Sequence, residues 1–586
     1  MSDRIKKIKI KQTDGTFSDY IPIGADAKNI DTDRGENLQN TLNKISRYYH
    51  TVEAMKIDDS LKENDICTVI LDNGENIIYK ISSSNNFGLE LNNGLFAQLL
   101  INNFNIFPND DIIALLPNNS TFTTKGFYEV GDGGGTTYFV TTEWKANSLK
   151  RGNFYIIPIY QNDGELFMPY LGIRDGEDYA ELNSNIIESI NFINFGATLL
   201  FPSGHYYFDR TIALEKQNNI KGAGASFTSD LNTNGLTWLH FPNLQENEAA
   251  ITSTTGTLSD FMLVGNPKTY TLSIDRDQTV IAPDKIVNET YKYITYGIKH
   301  DNMGQLNIQN VGFRNFYYGA WIHTANITIS HIYIRNCHYG ISIGNDTRIT
   351  QLFAWSVMIA LQMRGSISSA TQIRGDSIGK HLVEITTTES YGGSITGVIL
   401  SDLDADYCVG SIIHLGSDDV FESVVGLYIN GVRGRACVYT AFDSTLQEDY
   451  DISTLTEDLV EYVGFLSISA KERVYDGYII INQSVMANAN PLDDNSSTYR
   501  CPSVIFTSKA DVNITGMDFH LISGNRLENL EISKNFIRQK IKSYSHNVTN
   551  IDIALTTYKE KVIYKRTGVS EETFLRLYPE GEVLDE

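Results

Sequence analysis

Residues 401–408 read SDLDADYC, with three aspartates at alternate positions. In an extended strand alternate residues share a face, so Asp402, Asp404 and Asp406 would point outward while Leu403 and Ala405 point inward. Two residues of rise separate neighbouring outward carbons by roughly 6–7 Å. Carboxyl groups lie about 5 Å apart in retaining glycosidases and from about 6.5 Å apart in inverting ones, so the spacing admits either geometry. Three like charges in a row should push at least one pKa up, which is what a general acid needs. An exposed strand of an acidic protein would carry the same aspartates simply as a solvated face. Asp418 and Asp419, at a turn in GSDDVFES, form with Glu422 a second candidate set of acids.

Other side chains offer binding chemistry. Arg314 and Arg335 stand at equivalent places in two similar segments, so on adjacent layers their guanidinium groups would repel unless an anion or acid lay between them. A phosphate or uronate of a substrate would fill that place, as would a local carboxylate or water. Tyr318 and Tyr339 are likewise equivalent and are candidates for stacking on sugar rings. In FYYGAW (316–321), Phe316 and Trp321 alternate with positions expected to face inward, so part of this cluster should be core. His323, His331, His338 and His414 show no metal-ligand spacing. Neither a metal nor another cofactor is expected.

These residues need an element that presents them, and the chain repeats one. Residues 306–323, LNIQNVGFRNFYYGAWIH, and 327–344, ITISHIYIRNCHYGISIG, match at an offset of 21. Leu306 maps to Ile327, Ile308 to Ile329, Val311 to Ile332, Phe313 to Ile334, Phe316 to Cys337 and Ile322 to Ile343, with Arg314/Arg335, Asn315/Asn336, Tyr318/Tyr339 and Gly319/Gly340 also in register. Apolar residues recur at every second position in short runs, which is strand patterning. A unit of about 20 residues cannot bury its own inward face and must stack on a similar neighbour. The expected fold is mainly β: a right-handed parallel β-helix, a solenoid whose coils lie about 4.8 Å apart.

Composition excludes several classes. A chain of 586 residues with 41% hydrophobic content holds packed cores and several domains. Its net charge of −24 argues against nucleic acid or an anionic membrane surface as partner. Cys67, Cys337, Cys408, Cys437 and Cys501 are scattered and odd in number, which indicates neither a disulfide framework nor a zinc module, and Cys337 reads as a core filler opposite Phe316. The basic start, MSDRIKKIKIKQTDG, lacks the apolar stretch of a signal peptide, and no run of 18 apolar residues offers a membrane span. Synthesis in a host cytoplasm and release by lysis are expected.

Along the chain, residues 1–25 read as a small β unit. Leu38, Leu42, Ile45 and Tyr49 make a helical stripe over 36–56. Two hairpins are expected, at 64–81 around Asn73-Gly74 and at 125–140, where GDGGG reads as a wide turn. Ile186, Ile187, Ile190 and Ile193 suggest a helix that caps the first coil, and GATLLFPSGHYYF (196–208) begins the strand pattern. A polar insertion falls near 266–293. The expected divisions are 1–50, an attachment segment with a short helix; 51–165, small β connector modules; 166–508, capping helix and β-helix; and 509–586, a separate C-terminal trimerisation or binding region.

IPIGADAKNI (21–30), HTVEAMKIDDSLKENDI (50–66), GFYEVGDGGGTTYFV (126–140) and GATLLFPSGHYYF with NNIKGAGAS (218–226) resemble the leader, connector and opening coil of phage tail spikes of the pectate-lyase-like β-helix superfamily. In that family the connector is continuous, whereas here a second module splits it. The segment before the capping helix, LGIRDGEDYAELN (171–183), keeps of the family pattern only Gly172, Asp175 and Gly176. The resemblance covers residues 1 to about 440. It implies a virion-bound homotrimer, attached to a phage tail or collar protein by its N-terminal segment, that recognises a host-surface glycan or teichoic acid and often cleaves it. It carries no catalytic residue across. The expectation is a depolymerase that acts by endo-glycoside hydrolysis, with a non-enzymatic adhesin, a polysaccharide lyase and a teichoic-acid phosphodiesterase as alternatives on the same scaffold.

Overall fold

A computed structural model describes most of residues 47–435, apart from short stretches that include 71–75, 227–234, 275–286, 387–393 and 418–422; outside that span it describes short strands only. Two compact units are present. Met1–Asp163, with Pro169–Gly172 and Glu188–Ile193, forms one, and the remainder forms the other.

The first unit contains a five-stranded and a six-stranded sheet. The helix expected over 36–56 is different in its described part: Arg47–Tyr49 is a strand paired with Cys67–Val69, and only Val52–Lys56 is helical, started by Thr51 whose hydroxyl accepts the Ala54 N–H. Tyr49 therefore follows the sheet, because pairing satisfies its backbone on a β edge where a narrow apolar stripe could not hold a helix. The first expected hairpin is present as Ile66–Ile70 against Asn76–Ser82, with its turn outside the described residues. The second lies earlier than the expected 125–140: its strands are Ser120–Thr124 and Thr137–Thr141, and residues 125–130 belong to the connection between them. Between its strands GDGGG is a turn organised by Asp132, whose carboxylate accepts the N–H groups of Phe127, Tyr128, Glu129 and Gly134. Burial opposes that charge, but the four donors outweigh it and hold the carboxyl below its usual range.

The second unit is a parallel β-helix. Its 22-stranded sheet starts at Glu165–Phe167, which pairs with Thr198–Leu200. The capping helix is Ala180–Ser189, shorter than the isoleucine spacing predicts. Ile190 leaves it to pair with Leu149, and Ile193 lies outside the described residues. Asn183 pins the helix: its amide donates to the Arg174 and Tyr207 carbonyls and its oxygen accepts the Arg174 N–H. The Asp175 carboxylate accepts the His205 N–H. The polar insertion forms a hairpin, Tyr270–Ile274 with Val287–Tyr291, held to the coils by bonds from Leu272 N–H to Asn336 and between Glu289 and His338.

Ile308 pairs with Ile329, Val311 with Ile332, Phe313 with Ile334, Arg314 with Arg335, Tyr318 with Tyr339 and Ile322 with Ile343. The 21-residue offset is thus one coil. Further coils follow at Thr347–Met363, Ser369–Ile385, Ser394–Cys408 and Ser423–Arg435, and parallel pairing continues as far as Met517–His520. Phe316 and Cys337 are fully buried in the lumen.

Three columns of left-handed residues turn each coil. The first runs Asp260, Asn310, His331, Gln351, Gln372, Asp402; the second Asn315, Asn336, Ser356, Ser377; the third Asn326, Asp346, Ile367 and Gly397. Short polar side chains tolerate positive φ better than most, which accounts for the Asn and Asp at many of these bends. Every coil is therefore three-sided: a first face at 327–330, a second at 332–335 and a third from 337 to 343, with equivalents on each layer.

Candidate functional site

On the second face Val311, Phe313, Ile332, Ile334, Leu352, Ala354, Ile373, Leu403 and Ala405 fill the lumen. Alternation then places two outward rows. One runs Arg314, Arg335, Trp355, Asp376, Asp406; the other runs Tyr333, Phe353, Arg374, Asp404. An aromatic and cationic stretch thus leads along the axis into a carboxylate strip.

The three aspartates singled out in the sequence do not share one face. Asp402 is a corner residue with φ of 53°, so it leaves the strand alternation and is exposed at the first column. Asp404 and Asp406 do point outward together and are half-buried. Asp404 faces Arg374, Oδ2 to Nε at 3.8 Å, an open pair with little energetic weight. Asp406 is in register with Asp376 on the preceding coil, two carboxylates side by side. Arg433 and Arg435 of the next coil are in backbone register with Asp404 and Asp406. Asp418, Asp419 and Glu422 lie outside the described residues.

Arg314 and Arg335 are neighbours on consecutive coils. Burial lowers the pKa of both, and the Arg335 charge lowers that of Arg314 further. Arg335 lies over the Trp355 ring at 4.2 Å, and its buried Nη1 has no hydrogen-bond partner. His240 sits two layers before Arg314 in the same row, stacked on Tyr207 at 4.2 Å with its Nε2 3.0 Å from His205 Nδ1. Burial, then the His205 and Arg314 charges, bring its pKa down to about 3.

On the third face Tyr296, Tyr318 and Tyr339 form one column, stacked at 5.2 and 4.7 Å. Both faces of Tyr318 are thereby covered. Tyr318 therefore offers its hydroxyl and edge, not the open ring face that sugar stacking requires. Beside them Trp321, Ser342, Gln362, Glu384 and His414 align in register. Trp321 is half-buried on this outward row, while Ala320 and Ile322 beside it are core. A polar chain links the row: His323 Nε2 approaches Ser342 Oγ at 3.3 Å, Ser342 donates to Gln362 Oε1 at 2.7 Å, and Gln362 Nε2 donates to Glu384 at 2.6 Å.

His381, Glu384 and His414 each bring one potential ligand atom within 4.8 Å of the others. The two imidazoles are stacked at 4.4 Å and 9°, so their in-plane lone pairs cannot converge on one ion as they stand. His381 Nδ1 faces the Ser411 carbonyl at 3.1 Å, and burial holds its pKa well below the usual value. A groove of about 960 Å³ also runs along the first face past Asn219, Thr257, Asn307 and Arg348, with Asp346 as the acid in its lining.

Asp376, Trp355, Gln362, Arg364 and Glu384 were not anticipated. Continuing the 21-residue offset from Trp321 through Ser342 arrives within two residues of Gln362 and Glu384, a usable signal. Asp376 precedes its partner Asp406 by 30 residues, so no constant offset finds it.

No family model and no curated protein matches this chain. Among solved structures it is similar to the enzymatically active domain of bacteriophage CBA120 tailspike protein 2, at 13% identity and a TM-score of 0.44, over 70% of this chain and 57% of that one. It is also similar to the Acinetobacter phage vb_AbaP_AS12 gp42 tailspike, at 10% identity and TM-score 0.45, over 80% and 77%. A third is Pantoea stewartii WceF, described as a glycan biofilm modifying enzyme with a tailspike-like parallel β-helix fold, at 9% and 0.33, over 83% and 56%. Residue roles do not carry across at such identities.

Proposed function

We propose that this chain is a phage tail-spike receptor-binding protein that binds a host-surface polysaccharide along its β-helix and cleaves it by endo-glycoside hydrolysis. The observation that carries the reading is the second face, where Tyr333, Phe353 and Trp355 precede Asp376 and Asp406, placed side by side on consecutive coils. Adjacent coils are about 4.8 Å apart, which matches the roughly 5–5.5 Å between the carboxyls of retaining glycosidases. One carboxyl gives its proton to the glycosidic oxygen as that bond breaks. The other attacks the anomeric carbon, and water, deprotonated by the first, releases the glycosyl group.

Arg314 and Arg335 meet an anionic portion of the polymer. Assembly as a homotrimer, attachment to the tail through the N-terminal segment, and action from the virion after lytic release belong to the same proposal. Purified host polymers incubated with the protein test it. New reducing ends support hydrolysis. An ultraviolet-absorbing unsaturated product would point to a lyase, a new phosphomonoester to a teichoic-acid phosphodiesterase, and unaltered polymer bound to the protein to an adhesin.

A further inference from the structure

The third face carries a cation that the hydrolytic strip does not use. Arg364 follows the strand Thr347–Met363, and its backbone N–H bonds the Ile343 carbonyl, while Gly344 N–H bonds Ile322. His323, Gly344 and Arg364 therefore occupy one outward column beside Trp321 and Gln362. Gly344 stands between the other two and adds no side chain to the column. The guanidinium lies 5.1 Å from the Trp321 ring centroid. Its Nε is buried and has no hydrogen-bond partner, and among the described residues no carboxylate lies within ion-pairing distance of it.

Its surroundings are rich in donors. The Arg364 charge acts on Tyr318, Tyr339 and His323, and the Glu384 carboxylate acts on the two tyrosines in the opposite sense. Burial raises both phenols, so they keep their protons and can donate, and it lowers His323 to about 3, so the imidazole stays neutral. An arginine in a chain of net charge −24 that lacks a carboxylate partner, on an aromatic wall with two phenols near it, has the makings of an anion subsite.

We infer that the third face is a second saccharide site, separate from Asp376 and Asp406, that takes a sugar bearing a carboxylate or phosphate through Arg364, with Tyr318 and Tyr339 donating hydrogen bonds. This rests on the reading that the chain binds surface polysaccharide. Trp321, one ring face of which is stacked on His323 at 3.6 Å, supplies apolar surface beside the cation, and Gln362 is held by Ser342 and Glu384. The planar guanidinium favours a two-oxygen anion over a neutral hydroxyl.

An array of bacterial surface oligosaccharides with uronate-bearing, phosphodiester-linked and neutral members tests this with the full chain. Measured in the Asp376→Asn/Asp406→Asn background, so that no glycan is cleaved, the expected result is binding to acidic members, loss of at least ten-fold in affinity on adding Arg364→Gln, and partial recovery with Arg364→Lys. Reducing the carboxyls of bound uronate glycans should abolish their binding to the native protein, a measurement that needs no variant. Phosphodiester members bound instead would assign the subsite to phosphate. Equal binding of neutral glycans, or unchanged affinity in a folded Arg364→Gln, would overturn the inference and leave the polysaccharide reading standing. Binding to no member would overturn both.

Discussion

The guanidinium carbon of Arg335 lies 4.2 Å from the centroid of the Trp355 ring, its neighbour in register one coil along the stack. The ring gives Arg335 a cation–π partner on the coil that follows it, on the side away from Arg314. Such a contact contributes about 0.5–2 kcal/mol. Replacing Trp355 with Ala should destabilise the coils by more than that, because packing is lost as well. A double-mutant cycle with Arg335→Ala, followed by denaturant unfolding, should return a coupling within that range. Additive effects would place the interaction elsewhere.

His240 predicts how the first coils respond to acid. Its pKa is about 3 in the folded chain and about 6.5 when unfolded, so over that window the unfolded chain binds the extra proton. Stability should fall as pH drops from 6.5 toward 3. In His240→Gln the melting temperature should depend less on pH between 4 and 6.5 than in the native protein. An unchanged slope would mean that His240 does not set it.

Ile367 is the exception in the third corner column, a β-branched residue at φ of 55° with 68% of its surface exposed. Its equivalents are Asn326, Asp346 and Gly397. A side chain branched at Cβ is strained in the left-handed region, at a cost of about 1–2 kcal/mol. Ile367→Asn should raise the melting temperature by a few degrees. A lower value would mean that the exposed isoleucine is stabilised by a contact outside this chain.

Gly340 tests the coil spacing. A Cβ there would stand 2.4 Å from the Ala360 carbonyl oxygen and 2.6 Å from Ile334 Cδ1. The former is backbone of the next coil and cannot swing aside. Gly340→Ala should destabilise the protein by about 1–3 kcal/mol or prevent folding, as judged by yield and by circular dichroism melting. Native-like stability would show that the coils can part.

Much of this architecture is legible in two neighbouring coils. The match of Ile308 to Ile329 and Arg314 to Arg335 is a statement of register, and pairing reproduces it residue for residue. The candidate site is less legible, because the chain stops keeping a constant period. Ile332 to Leu352 spans 20 residues and Asp376 to Asp406 spans 30, because corners differ in length, and a register shift between Val357 and Ile359 adds a residue within the third face. Strand alternation also misplaced Asp402, because a single left-handed residue reverses the side-chain sequence and nothing in SDLDADYC marks it. The helices failed at their ends for a related reason: Tyr49 and Ile190 carry helical spacing, yet each completes a sheet edge.

The central claim is that Asp376 and Asp406 cleave the polymer. The most direct measurement is the size distribution of purified host-surface polymer after incubation with the native protein and with Asp376→Asn, Asp406→Asn and Asp404→Asn, each checked for native melting. The account predicts that the first two slow shortening by about 10²–10⁴-fold and that Asp404→Asn, which removes an exposed ion pair, slows it only several-fold. Full-rate shortening by Asp376→Asn or Asp406→Asn would contradict it.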